Sequence, residues 1–204
     1  MTTILLTGFE PFDGADRNPS WDAVSRVAAD WRGDERVEAL LLPVAFERSV
    51  AALTRAVDDL GPDLVVAVGL AEGRAAITPE RVAVNLDDAP APDADGAQPV
   101  DAPVRPGGPA AFFTSLPVKR MVESARAAGA PAALSNTAGG HVCNHVFYAL
   151  QELTADRPTL RSGFVHVPAT PETRTSGDSP NAVPLDVIVS GLEAAVHAAV
   201  DDRG

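Results

Sequence analysis

Two kinds of hydrophobic pattern alternate along the chain. Short apolar runs predict strands at residues 3–7, 36–43, 63–69 and 161–167. Between and after them, apolar residues spaced by three and four predict helices at residues 18–31, 47–60 and 116–128, and further helices from Val142 and Leu185. Strands that alternate with helices in this order predict an α/β fold, built around a mostly parallel sheet with right-handed crossovers.

Local signals support these boundaries. Asn18 and Pro19 are typical of a helix start, and Gly61 followed by Pro62 is typical of a helix end. Ser115 is a candidate cap for the helix at residues 116–128. The run at residues 64–68 is apolar at every position, which predicts a central strand buried on both faces.

The only cysteine lies in the stretch at residues 134–145. Residues 131–134 predict a buried strand, residues 135–140 a tight turn with two glycines, and the helix from Val142 begins directly after them. Cys143 therefore lies in the first turn, where unpaired N–H groups and the helix dipole favour a thiolate nucleophile. A buried structural cysteine is the alternative interpretation.

Other stretches supply candidate partners for this thiol. Phe9 and Phe12 lie in a Gly/Pro loop after the first strand, where they either bind a ligand or pin the loop to the core. Glu80 precedes a short strand predicted at residues 81–85. Residues 86–110 have no regular period, which favours a surface excursion over a lid, and residues 170–184 predict another loop.

A thiol nucleophile needs a base, and histidine suits this role because its pKa is near neutrality. His166 lies near the end of the last strand, at the sheet edge where Cys143 is also expected, so it is the best base by position. A buried histidine bonded to the backbone is the alternative interpretation. His141 and His145 lie two residues either side of Cys143 and point away from it on a helix, which favours packing or capping roles. His197 is typical of a surface residue near a helix end. Spacing alone does not choose the carboxylate that orients the base.

Composition narrows the function classes. The chain has 204 residues, 46% of them apolar, which fits one domain spanning residues 1–204. The net charge of −12 argues against a nucleic-acid surface, and we find no signal peptide and no transmembrane segment. One cysteine fits a reducing cytoplasm. There is no C-x-x-C, H-E-x-x-H or G-x-G-x-x-G pattern, so neither a metal nor a dinucleotide cofactor is expected.

Five longer motifs occur along the chain: GFEPF (8–12), NPS (18–20), TPERVAVN (78–85), AGGHVCNH (138–145) and GFVHVP (163–168). Together they resemble the pyroglutamyl peptidase I (pyrrolidone carboxyl peptidase) family of cysteine peptidases. The resemblance implies an α/β/α sandwich, a cytoplasmic enzyme without cofactor, and a homotetramer. It implies a triad of Glu80, Cys143 and His166, with Phe9 and Phe12 holding the pyroglutamyl ring.

Three positions depart from the family's pattern. Leu70 replaces a glutamine, Pro90 replaces an arginine, and Ala169 stands where an aromatic residue is usual. Changes of this kind around a site affect rate or specificity more than the chemistry itself.

The expected function is removal of N-terminal pyroglutamate from peptides through a thioester intermediate. One alternative is a cysteine amidase with specificity for another blocked or cyclic N-terminal group. A second is a non-catalytic binder of lactams, which has no need for all three triad residues. The weakest is a phosphorolytic enzyme, because the chain has no Gly-rich phosphate cradle followed by lysine.

Overall fold

The computed structural model describes residues 1–173 and 181–202. A five-stranded sheet is formed by β1 (Thr3–Phe9), β2 (Arg36–Leu42), β3 (Leu64–Leu70), β4 (Thr78–Pro79) and β7 (Arg161–Val167). The strand order is β2-β1-β3-β7-β4, and all pairings are parallel except that of β4 with β7. A separate antiparallel pair is formed by β5 (Val82–Val84) and β6 (Ala111–Phe113).

Five helices cover the sheet on its two faces. Their bounds are α1 (Pro19–Asp30), α2 (Phe46–Leu60), α3 (Val118–Ala127), α4 (Val142–Ala155) and α5 (Leu185–Asp201). Helices α1, α3 and α5 share one apolar core, and α2 and α4 share the other. The predicted α/β fold with a mostly parallel sheet flanked by helices is therefore confirmed. None of the helices in residues 1–173 and 181–202 is long and apolar enough to cross a bilayer.

The central strand shows why the apolar runs fold in this way. Leu64, Val66 and Val68 of β3 pack into the core on the α1 side, whereas Val65 and Ala67 pack on the α4 side. All five are completely buried. A strand covered on both faces needs apolar residues at every position rather than at alternate ones, and this confirms its predicted central place.

One predicted strand and one predicted helix cap are wrong. Residues 131–134 form no strand, because the neighbouring β4 is only two residues long and leaves isolated bridges of Ala132 with Ile77 and of Ser135 with Glu80. Ser115 does not cap α3, which begins after Pro117 without a side-chain cap. The Ser115 hydroxyl instead accepts a hydrogen bond from the Ser162 N–H at 2.8 Å, and so it satisfies the backbone of β7.

The segment at residues 86–110 is anchored at several points. The buried carboxylate of Asp93 accepts hydrogen bonds from the N–H groups of Phe46, Asp95 and Ala97. The Phe46 bond supplies the cap that α2 lacks, because Ala45 at its start has no side chain for this purpose. The segment thus forms a surface excursion, as predicted, and Asp93 fixes it to the start of α2. Of the loop predicted at residues 170–184, residues 174–180 lie outside the described chain.

Candidate active site

The carboxyl ends of β3 and β7 bring two candidate residues to one edge of the sheet. In the parallel register Gly69 pairs with His166. Val165 and Val167 pack into the α1-side core, whereas Phe164 packs into the core shared with α4. Because side chains alternate along a strand, His166 projects to the same face as Phe164, which is the face that α4 covers.

Gly69 gives the Cys143 thiol its place on this face. A Cβ atom at Gly69 would lie 2.8 Å from the Cys143 sulfur and 2.8 Å from Cζ of Phe164. Both distances are too short for any side chain, so the thiol rests directly on the strand backbone. It lies there beside the strand position that carries His166.

The chain that leads into α4 is held in place from both sides. Gly139 has a φ of +84°, a conformation that glycine adopts without strain. Directly after Cys143, the buried Asn144 donates to the carbonyl groups of Val84 and Leu86, both at 2.9 Å. Cys143 lies in the first turn of α4, as predicted, and this helix start has no side-chain cap. Its first N–H groups are therefore available to a ligand.

Glu80 meets His166 on the far side of the imidazole. Oε1 of Glu80 lies 2.7 Å from Nδ1 of His166, and the Glu80 side chain is completely buried. The short strand β4 brings this about, because Thr78 pairs with His166 and the Glu80 N–H donates to the Phe164 carbonyl. An ionised carboxylate only accepts hydrogen bonds, so Nδ1 carries the proton and Nε2 is free to act as a base.

Arg74 is a further member of the cluster. Its Nη1 donates to Oε1 of Glu80 at 2.5 Å and to the Thr78 hydroxyl at 2.6 Å. Its Nη2 donates to the Thr137 carbonyl at 2.7 Å, in the loop before Cys143. Sequence reasoning gave this arginine no role. The only signal was a cation in the loop after the central strand, six residues before Glu80.

The electrostatics differ from the expected low-pKa thiol. Burial raises the pKa of Cys143 to about 12, the negative charge of Glu80 adds to this increase, and Arg74 opposes it. Burial also lowers the pKa of His166, against the hydrogen bond and charge of Glu80. For Glu80, burial raises the pKa, but the His166 hydrogen bond and charge outweigh this effect and leave the pKa below its ordinary value. The resting pair is therefore a neutral thiol and a neutral imidazole beside a carboxylate.

A cavity of about 270 Å³ opens next to the thiol. Its apolar walls and the thiol come from seven residues: Phe9, Phe12, Ala15, Val44, Leu70, Val142 and Cys143. Phe9 is the last residue of β1 and is only 2% exposed, so it belongs to the core as well as to the cavity. Phe12 is partly buried, and its ring lies 6.1 Å from that of His141. Both phenylalanines singled out from sequence thus border the space beside Cys143.

The remaining histidines have packing roles. Nε2 of His141 lies 3.1 Å from the Ala91 carbonyl, and Nδ1 of His145 lies 2.7 Å from Asp87, as the packing interpretation predicts. His197, predicted to be a surface or dipole-pairing residue, is partly buried, and its ring stacks on that of Trp31 at 4.0 Å. In the part of the chain that the structure describes, no three His, Cys, Asp or Glu residues are grouped to hold a metal ion.

The three departures from the family pattern have different surroundings. Leu70 is at the end of β3 and lines the cavity, so it contributes an apolar wall. Pro90 is exposed in the segment at residues 86–110. Ala169 is buried, and its carbonyl accepts a hydrogen bond from Val183. Only Leu70 among them borders the space beside the thiol.

Comparison with known proteins gives one consistent answer. The profile of the family described as pyroglutamyl peptidase matches residues 2–202. A pyrrolidone-carboxylate peptidase of Streptomyces coelicolor is 50% identical over 200 residues, which cover 98% of this chain and 92% of the relative. The crystal structure of pyroglutamyl peptidase I from Bacillus amyloliquefaciens superposes with a TM-score of 0.92 at 46% identity, over 98% of this chain and 95% of the other. The pyrrolidone carboxyl peptidase of Thermococcus litoralis gives a TM-score of 0.90 at 33% identity, over 98% and 94% of the two chains.

Proposed function

The chain belongs to the pyroglutamyl peptidase family, and on that premise we propose that it is a cysteine-type peptidase that removes pyroglutamate from the N-terminus of peptides. Cys143 is the nucleophile, His166 is the general base and acid, and Glu80 orients the imidazole. Phe9 and Phe12 form walls for the pyroglutamyl ring. The observation that carries the proposal is that the Cys143 thiol lies between a cavity bordered by Phe9 and Phe12 and the Gly69 backbone, which pairs with the strand position of the Glu80-bonded His166.

The first half of the reaction starts from the neutral pair. Nε2 of His166 takes the thiol proton while the Cys143 sulfur attacks the carbonyl carbon that joins pyroglutamate to the next residue. Negative charge develops on the carbonyl oxygen. The uncapped N–H groups in the first turn of α4 are suited to stabilise it, because they point towards the thiol end of the helix. Transfer of the proton within the site avoids the cost of a thiolate in the free enzyme.

The second half returns the proton and regenerates the thiol. The imidazolium of His166 protonates the departing amine as the C–N bond breaks, which leaves a thioester on Cys143. Water then attacks the thioester while His166 accepts one of its protons. Pyroglutamate leaves as the acid, and His166 returns the proton to the sulfur. Glu80 remains ionised throughout, because its pKa lies below the ordinary value, and so it stabilises the imidazolium in both halves.

The cavity walls explain a preference for a blocked N-terminus. The pyroglutamyl ring is a flat, uncharged lactam, and aromatic and aliphatic side chains suit its faces. A free N-terminal amine carries a charge, and burying a charge against the walls of Phe9, Phe12 and Leu70 is costly. The carboxylates of Asp13 and Glu72 line other parts of the cavity. Peptides with an unblocked glutamyl or prolyl residue are therefore poor substrates.

The decisive experiment compares three amides that release a chromophore, carrying pyroglutamyl, glutamyl or prolyl groups. The wild type is expected to cleave only the pyroglutamyl amide in reducing buffer, and iodoacetamide is expected to abolish this activity. Cys143→Ala removes the nucleophile and is expected to be inactive with an unchanged circular dichroism spectrum. Full activity of Cys143→Ala on this amide would contradict the mechanism.

The same panel tests a shifted specificity, which one observation favours. Leu70 places an aliphatic wall in the cavity where many family members have a glutamine. If a different blocked amide is cleaved faster than the pyroglutamyl amide, the enzyme is a related amidase. Leu70→Gln is then the substitution that should restore pyroglutamyl preference.

The family resemblance also supports a homotetramer in which each chain is one catalytic domain over residues 1–204, acting in the cytoplasm. Exposed apolar side chains are available for subunit contacts, with Phe113 73% exposed and Val100 70% exposed. The single cysteine is free, as a thiol enzyme in a reducing compartment requires. Light scattering after size exclusion, and cell fractionation, are the corresponding tests.

A further inference from the structure

The guanidinium of Arg74 forms hydrogen bonds with three different parts of the site. It reaches β4 through the Thr78 hydroxyl, the triad through Oε1 of Glu80, and the loop before Cys143 through the Thr137 carbonyl. We propose that Arg74 is a positioning residue of the triad, which holds Glu80 against His166 and fixes this pair relative to the loop that carries Cys143. This inference rests on the proposed function of the triad.

The geometry at Glu80 shows how Arg74 holds the carboxylate in one orientation. The same oxygen, Oε1, receives Nδ1 of His166 at 2.7 Å and Nη1 of Arg74 at 2.5 Å. The two donors approach one atom from different elements, which fixes the rotation of the carboxylate. The Glu80 side chain is completely buried, and that of Arg74 is 27% exposed. A buried carboxylate needs a compensating cation when the histidine beside it is neutral.

Arg74 also adjusts the charge balance around the imidazole. Within the described residues, the charged groups that bear on the pKa of His166 are Glu80 and Arg74, and the Cys143 thiol lies against the neighbouring strand position Gly69. Burial is the largest cause that lowers the pKa of His166, Glu80 raises this pKa, and the cation of Arg74 lowers it. Without Arg74 the charge of Glu80 would act on His166 alone, and the imidazole would hold its proton to higher pH.

The position of Arg74 separates this role from substrate binding. Arg74 does not line the cavity beside Cys143. A positioning role therefore predicts a loss in kcat with little change in KM, because the ring-binding walls are intact. A shift of about 1 Å in a catalytic group reduces the rate by about 10²-fold, and this sets the scale of the expected loss.

The test compares Arg74→Met, Arg74→Lys and the wild type by two independent measurements. The first is the titration of His166 by NMR with labelled histidine, with the His166→Asn spectrum used for assignment. The second is the pH profile of kcat/KM on the pyroglutamyl amide. Arg74→Met is expected to raise the pKa of His166, to move the acid limb of kcat/KM to higher pH, and to lower kcat by about 10- to 100-fold with KM preserved.

Arg74→Lys keeps the cation but loses the planar fork that reaches three acceptors. It is expected to restore the titration of His166 towards the wild-type position and to recover only part of kcat. Arg157→Met is the matched control, because Arg157 forms an ion pair with Asp58 at 2.8 Å elsewhere on the surface. It should leave both the titration and kcat unchanged.

The outcomes distinguish this inference from the proposed function. If the wild type does not cleave the pyroglutamyl amide, the proposed function fails, and the NMR titration still shows whether Arg74 controls the Glu80–His166 pair. If Arg74→Met leaves the titration of His166 and the acid limb where they are in the wild type, Arg74 is only a structural tie and the inference is overturned. A lower melting temperature of Arg74→Met would not by itself support the inference.

Discussion

Two histidine–carboxylate pairs lie close to the start of α4, and they have the same length. Nδ1 of His166 lies 2.7 Å from Glu80, and Nδ1 of His145 lies 2.7 Å from Asp87. Both pairs are largely shielded from solvent. The hydrogen bond itself therefore does not distinguish a catalytic pair from a structural one. The difference lies in what surrounds each pair.

The surroundings of the two imidazoles are opposite in character. His166 lies in the sheet beside Gly69, where the Cys143 thiol rests, and its carboxylate is also held by Arg74. His145 lies on α4 itself, with Phe46 packed on its ring edge-on at 5.1 Å. Its partner Asp87 bridges to Ala102 within the segment at residues 86–110. The first pair lies beside the strand position on which the Cys143 thiol rests, whereas the second connects a long segment to the helix.

The largest effect expected from this comparison is on the bases themselves. His166→Asn removes the group that accepts the thiol proton, so kcat/KM on the pyroglutamyl amide should fall by about 10²- to 10⁴-fold. His145→Asn is the matched control and should retain turnover. Enzyme assays of both variants, with circular dichroism to verify folding, test the assignment. An equal loss in the two variants would remove the distinction drawn here.

A smaller effect is expected from the two carboxylates. Glu80→Gln keeps the shape of the side chain but removes the charge that orients and stabilises the imidazolium, so kcat should fall by about 10²-fold. Asp87→Asn keeps an oxygen that accepts the His145 hydrogen bond, so its effect should be a loss of about 1 kcal/mol in unfolding free energy. Steady-state kinetics and urea unfolding measure the two quantities. Wild-type kcat in Glu80→Gln would show that the carboxylate has no part in turnover.

The two histidines should also differ in their effect on the pH dependence of activity. The reaction needs neutral His166, and the pKa of His166 is below its ordinary 6.5. Activity should therefore persist below pH 6.5 and be lost as the pH falls through the lowered pKa. His145→Asn should leave this acid limb unchanged. If the wild type already loses activity as the pH falls through 7 or a higher value, the resting imidazole of His166 is not neutral.

The thiol provides the complementary measurement. Because burial raises the pKa of Cys143 to about 12, the free enzyme holds little thiolate at neutral pH. Iodoacetamide should thus react slowly with the free enzyme at pH 7, and the rate should increase as the pH rises towards 12. Mass spectrometry of the alkylated chain follows this directly. Rapid alkylation that is already constant at pH 7 would instead show a preformed thiolate.

Much of this arrangement can be predicted from sequence, for reasons that are local. The helical spacing from Val142 places Cys143 in the first turn of α4, and the uniform apolar run of β3 predicts a central strand. The position of His166 near the end of β7 then places it at the same sheet edge. Parallel topology makes both inferences possible, because carboxyl ends of neighbouring strands converge.

The remaining features of the site depend on tertiary contacts, which the spacing of apolar residues does not predict. Glu80 reaches His166 only because a two-residue strand pairs antiparallel with β7. Arg74 joins the site through Thr78 and Glu80, which are near in sequence, and through the Thr137 carbonyl, which is 63 residues away. The expected low pKa of Cys143 was wrong because the helix-end argument does not include the burial that Gly69 makes possible. The sequence identifies the candidate residues, but it does not predict the burial and the charged neighbours that each of them has in the folded chain.

The smallest effect on activity is expected from removing the structural pair completely. A double-mutant cycle with His145→Asn and Asp87→Asn should give a coupling in unfolding free energy of about 0.5 to 3 kcal/mol, because the two side chains are in direct contact. At the same time, the cycle should leave kcat on the pyroglutamyl amide essentially unchanged in every variant. Urea unfolding and steady-state kinetics on the same four proteins give both results. If kcat shows the coupling instead, the His145–Asp87 pair positions the start of α4 for catalysis, and the two pairs act together as parts of one site.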